Sequence, residues 1–176
     1  TPRTSSAASD VYKRQGWMTC FSYSFQLYFD FSGYSDMALG TALLFGICLP
    51  VNFYSPYKSV NLQEFWRRWH ITLSRWLRDY LYIPFGGNRL NSLFTIRNLV
   101  LTFLIGGIWH GAGWTFIAWG LIHGIGVSIL LCLKNIKVPI PKCLNTLITF
   151  ITVSIAWIFF RAPNFSDALI ILKAQF

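Results

Sequence analysis

"LFTIRNLVLTFLIGGIWHGAGWTFIAWGLIHGIGVSILLCL", residues 93–133, decides the fold. It contains two apolar runs, Leu93–Trp109 and Trp114–Leu133, joined only by Gly111, Ala112 and Gly113. Each run has about the length of a bilayer-crossing helix, which needs roughly 17–25 residues. Neither run alternates with a period of two. Membrane-spanning strands are therefore excluded, and helices are left to satisfy the backbone in lipid.

Working outward, further apolar segments lie at Gly16–Phe31, Met37–Val51 and Leu144–Phe160. The first reads as the end of a span, the second as a span closed by Pro50, and the third as a span. The chain has 176 residues, of which 54% are hydrophobic and 12% charged. A soluble domain averages about a quarter charged residues. The expected fold is all-α, a polytopic transmembrane helical bundle in the inner or plasma membrane, with lipid as its surroundings.

The net charge of +9 is gathered in loops, with no basic face on a soluble fold. Nucleic-acid binding is therefore excluded. Lys58, Arg67, Arg68, Arg75, Arg78, Arg89 and Arg97 lie in one loop region, and Lys134, Lys137 and Lys142 in another. The positive-inside rule places both in the cytoplasm and the Gly-Ala-Gly turn outside. Arg161 falls on the outer side by this count, a single disagreement. Four scattered cysteines, Cys20, Cys48, Cys132 and Cys143, form no CxxC pair. They read as small hydrophobes, three of them in apolar runs, and not as a disulfide or zinc framework.

Residues 1–15, "TPRTSSAASDVYKRQ", change abruptly into apolar sequence at Gly16. They read as a non-native polar leader, with 16–176 as part of a transmembrane domain that lacks helices at both ends.

Between the spans, "EFWRRWHITLSRWLRDYLYIPFGGNR" wound at 100° per residue from Phe65 separates two faces. Phe65, Trp66, Trp69, His70, Leu73, Trp76, Leu77, Tyr80 and Leu81 share an arc of about 160°, opposite Arg67, Arg68, Ile71, Arg75 and Asp79 with Arg78 beside them, and only Ile71 breaks the separation. One amphipathic helix is expected, lying at the cytoplasmic interface or packed under the bundle. Its arginines read as anchors for anionic lipid, or as a dock for an acidic partner or a phosphate-bearing donor. His70, at the edge of the apolar arc, reads as a packing histidine or a functional one.

His110 is the sharper signal. It stands thirteen residues beyond Arg97, about 20 Å along a helix, and so inside the membrane toward the outer half. Ionisable residues there are functional by default. Gly106, Gly107, Gly111 and Gly113 surround it, suggesting a broken helix that lines a cavity. A neutral imidazole there is suited to general-base work. His123 lies beside Gly120 and Gly124 in a small-xxx-small pattern and reads as helix packing. Asp30 and Asp36, in "FDFSGYSDMA", read as a polar hinge or cap, or as groups lining a substrate path or balancing an arginine. The three histidines match no metal motif, and no GxSxG elbow supports a covalent serine mechanism.

Four stretches in order, "FQLYFDFSGYSDMALG", "PVNFYSPY", "EFWRRWHITLSRWLRDYLYIPFGGNR" and "GGIWHGAGWTFIAWGLIHG", resemble the membrane-bound O-acyltransferase family. The resemblance covers about residues 20–165 and is strongest to the branch of alginate and other polysaccharide O-acetyltransferases. It implies a ring of helices around a tunnel. His110 would be the catalytic residue and His70 a second one that positions the donor or its carbonyl. Asp30, Asp36, Arg67, Trp69, Arg78 and Trp109 are candidates for the substrate and donor path. It implies no tightly bound cofactor, but an acyl thioester donor such as acetyl-CoA or an acyl carrier. An extracytoplasmic polysaccharide would be the acceptor, and a periplasmic or extracellular acetyl-relay protein the partner. The competing readings are D-alanyl transfer to teichoic acid, a transporter or flippase, and a non-catalytic subunit that docks a carrier.

Overall fold

The computed structural model describes residues 6–133 and 139–176. Lys134 and Lys137 of the second basic loop lie outside them, as do residues 1–5. Seven α-helices are described: α1 (Ser6–Leu44), α2 (Leu62–Arg68), α3 (Ile71–Leu77), α4 (Ser92–His110), α5 (Trp114–Cys132), α6 (Lys142–Arg161) and α7 (Phe165–Lys173). A 3₁₀ turn, Pro56–Lys58, precedes α2, and a π-helical turn, Arg78–Tyr82, follows α3. No strand occurs among the described residues.

Helices α4, α5 and α6 are long and apolar enough to cross a membrane. They match the three later runs expected from sequence to within about two residues at each end. The short Gly111–Gly113 link forces α4 and α5 into an antiparallel hairpin. Their approach is unusually close. A methyl group on Gly107 would meet the Phe116 carbonyl, and one on Gly120 the Phe103 carbonyl. Both glycines are needed because backbone touches backbone there. This corrects the expected broken helix: α4 runs without interruption through Gly106 and Gly107 to His110.

The first half of the chain differs more from expectation. The segments Gly16–Phe31 and Met37–Val51 are not two units. Helix α1 begins at Ser6, passes unbroken through Gly16 and Gly33, and stops at Leu44. The "FSGYSD" segment is therefore neither hinge nor cap. Ser32 and Thr41 turn their hydroxyls back onto the carbonyls of Phe29 and Met37, which keeps them compatible with a helix interior. The stop comes from Gly46, at φ 71°, with Phe45 and Ile47 both bonding back to the Ala42 carbonyl. This left-handed C-terminal cap acts before Pro50 is reached. Of the four cysteines only Cys20 is buried, its thiol on the Ser154 carbonyl; all four are free.

The core is aromatic. Phe65, Trp66 and Trp69 of the α2 segment pack against Trp119 of α5 and Trp157 of α6, all under 9% exposed. The α2 segment is thus inside the bundle, not on its surface. Helix α2 starts at a capping box: Asn61 accepts from the Glu64 N–H and Glu64 accepts from the Val60 N–H.

Candidate active site

The amphipathic segment is not one helix. It breaks at Trp69–His70, where His70 adopts φ 42°, ψ 56°. Left-handed geometry costs a non-glycine residue about 1–3 kcal/mol, so surrounding contacts must impose it. They come from residues 51–54. The Tyr54 N–H donates to the Arg68 carbonyl (2.9 Å) and the Ile71 N–H to the Asn52 carbonyl (3.0 Å). The Asn52 side-chain oxygen lies 3.2 Å from His70 Nδ1, and accepts from the Thr72 hydroxyl (3.0 Å) and the Thr72 N–H (3.3 Å). The edge of Phe31 meets the imidazole at 4.8 Å between ring centroids. The break also re-aims the second half of the segment. Trp76 and Tyr80, expected on the buried arc, are exposed, while Phe65, Trp66, Trp69 and Leu77 are buried.

His110 is the last residue of α4. Its half-buried ring sits among Trp109 (4.9 Å), Trp119 (5.2 Å) and Phe160 (5.1 Å), each roughly perpendicular to it. Among the described residues its ring nitrogens have no hydrogen-bond partner, and that leaves them open to a ligand. His70 lies near enough to feel a charge on His110. The imidazole of His70 is pushed down to about 4, first by burial and then by His110. It is therefore neutral at physiological pH. The structure brings these two residues together from a loop break and a helix end, forty positions apart in the chain.

A separate cleft of about 630 Å³, lined by neither histidine, lies where the α2 and α3 segments meet α4 and α5. Arg67, Arg75 and Arg78 stand at its edge, Ser74, Thr102 and Tyr82 add hydroxyls, and Trp66, Leu77, Leu99, Phe103 and Val127 form apolar walls. Leu99 and Thr102 belong to the first half of α4 and Val127 to the second half of α5. The cleft thus opens on the side where both basic loops leave the bundle. Arg78 is paired with Asp79 at 2.7 Å, whereas Arg67 and Arg75 have no ion-pair partner among the described residues. The combination suits an anionic molecule with an apolar arm.

The other expected site residues separate into groups. Arg67 and Arg78 line the cleft. Trp69 is buried, packed on Phe53, Phe65 and Trp157, and supports His70 from behind. Trp109 is 64% exposed, with its ring against His110. Asp30 and Asp36 are exposed on α1, line no part of the cleft, and have no hydrogen bond or ion pair among the described residues; the expected balancing of an arginine does not occur. His123 is fully buried and accepts the Trp66 indole N–H at 3.2 Å, which supports its reading as a packing residue. Sequence reasoning missed Asn52, Thr72, Phe31 and Phe160. Nothing local in "PVNFYSPY" ties Asn52 to a histidine eighteen positions later.

The candidate site thus comprises a membrane hairpin with His110 at its turn, a second histidine within electrostatic reach and a separate cationic cleft. The model of the membrane-bound O-acyltransferase family matches residues 13–164, and the chain belongs to that family. It is 61% identical over 165 residues to a peptidoglycan O-acetyltransferase of Helicobacter pylori, covering 92% of this chain and 31% of that protein. It is 48% identical over 171 residues to a probable alginate O-acetylase AlgI of Azotobacter vinelandii, covering 97% and 34%. A teichoic acid D-alanyltransferase of Streptococcus thermophilus is 37% identical over 164 residues, covering 80% and 40%. The chain spans about a third of the length of the first two relatives.

Proposed function

We propose that the full-length protein is a multi-pass cell-membrane acetyltransferase that modifies hydroxyl groups of an extracytoplasmic glycan. Residues 16–176 supply part of its transmembrane domain. What supports this reading is His110 at the end of α4, within electrostatic reach of His70, together with an arginine-lined, apolar-walled cleft against the α2 and α3 segments. An acyl thioester, as acetyl-CoA or a carrier-bound acyl group, sets its anionic portion against Arg67 and Arg75. His110 takes the proton from an acceptor hydroxyl. The oxygen attacks the thioester carbonyl, the C–O bond forms, the C–S bond breaks, and the thiolate leaves with the proton from His110. His70 positions the donor. If acetyl reaches the glycan through an extracytoplasmic relay protein, the hydroxyl at His110 is that protein's, and the atom balance is the same.

The 61% identity to a peptidoglycan O-acetyltransferase supports peptidoglycan as the glycan ahead of alginate, for which the identities are near 50%. D-alanyl transfer is the second reading, supported by the 37% relative. A flippase loses one of its two supports: α4 is continuous, so the broken helix is gone, while the polar residue at membrane depth remains. The test is mass spectrometry of cell-wall glycans from cells whose full-length protein carries His110→Ala. Loss of O-acetyl groups with unchanged protein level supports the proposal, and wild-type acetylation overturns it.

A further inference from the structure

The Asn52 amide settles more than the backbone break. Its side-chain oxygen faces the Thr72 main-chain N–H, which can only donate. The amide is therefore oriented with oxygen, not nitrogen, toward Thr72 and His70. The same oxygen is 3.2 Å from His70 Nδ1. Two lone pairs cannot share that contact, so Nδ1 carries the hydrogen. The Thr72 hydroxyl agrees with this: it spends its proton on Asn52, at 3.0 Å, and turns its own lone pairs toward Nδ1, at 3.4 Å. A neutral imidazole protonated on Nδ1 has a bare Nε2, and among the described residues nothing donates to it.

We infer that Asn52 is a positioning residue that locks His70 in the Nδ1–H tautomer, so that Nε2 meets the substrate as a hydrogen-bond acceptor. This rests on the acyltransferase reading and narrows it. His70 then cannot hold the thioester carbonyl, which needs a donor. It holds a group that bears hydrogen, such as an amide N–H or hydroxyl on the donor's arm. Among the described residues, the titratable group acting on His70 is His110.

The test uses full-length protein in lipid. In ¹⁵N spectra of histidine-labelled protein, with His70 assigned by its loss in His70→Ala, Nδ1 should be protonated and Nε2 bare at neutral pH. A protonated Nε2 overturns the inference even if no variant can be made. In kinetics, Asn52→Leu should lower kcat/KM for the acetyl donor about 10- to 100-fold. Asn52→Asp keeps the acceptor, so it should retain activity and move the acid limb of the pH profile upward by about one unit or more. Wild-type kinetics in Asn52→Leu, or an unmoved acid limb in Asn52→Asp, overturns it. If His70→Ala and His110→Ala are themselves fully active, the acyltransferase assignment of the site fails instead.

Discussion

Trp66 donates its indole N–H to Nδ1 of His123 across 3.2 Å, with both rings buried. This bond ties the α2 segment to α5 and makes His123 a structural residue in spite of its chemistry. His123→Ala leaves the Trp66 donor unpaired and opens a cavity. Together these should cost about 3 kcal/mol of stability. The thermal melt of purified full-length protein should fall by several degrees, while turnover per folded molecule stays within about tenfold of wild type.

His110 should behave in the opposite way. Its ring is held by aromatic contacts alone and its nitrogens bond no described residue. His110→Ala should leave the melting temperature nearly unchanged and reduce acetyl transfer by about 100-fold or more, the usual worth of a general base. Comparing the two histidine variants in one melt-and-turnover experiment separates catalysis from packing.

The arginines of the cleft should differ among themselves. Arg78 already neutralises Asp79 at 2.7 Å, whereas Arg67 and Arg75 are free of ion pairs among the described residues. Arg67→Gln and Arg75→Gln should each raise KM for an anionic acyl donor several-fold with little change in kcat. Arg78→Gln should do so less. Initial-rate kinetics over a donor series checks the order.

The hairpin interface should be intolerant of a single methyl. Gly107→Ala and Gly120→Ala each place Cβ on a facing carbonyl, so α4 and α5 must separate. Such overpacking typically costs about 1–3 kcal/mol. Both variants should show a lower melting temperature than Gly40→Ala, where an added methyl meets nothing.

The pH response follows from His70. Its folded value, about 4, lies below the ordinary 6.5, because burial disfavours the charged ring. The unfolded chain therefore binds a proton first as pH falls. The stabilisation from neutral, buried His70 is fully present above about pH 6.5 and is lost progressively between 6.5 and 4. Thermal melts should show this decline between pH 6.5 and 4, and His70→Ala should make it shallower.

Much of the architecture was legible because lipid leaves so few options. Apolar runs near twenty residues and a three-residue link were enough to place α4, α5 and α6. His110 could be singled out because an ionisable group at membrane depth is rarely incidental. What stayed hidden depends on contacts distant in sequence. The left-handed turn at His70 is imposed by Asn52, so a helical wheel drawn through residues 65–81 put Trp76 and Tyr80 on the wrong face. The glycines around His110 looked like loosened backbone, and only the position of α5 shows that Gly107 is there for close packing. Gly46 ended α1 where Pro50 was the more conspicuous signal.

The two chain segments that the main-chain bonds clasp together at the site do not match in length. From Asn52 to Tyr54 is two steps along the chain, while from Arg68 to Ile71 is three. One residue is surplus on the second side, as in a β-bulge, and His70, in its left-handed conformation, occupies that side. Deleting a single residue between Arg68 and Ile71 would let the two segments pair flush. The left-handed place that His70 now holds would then be gone.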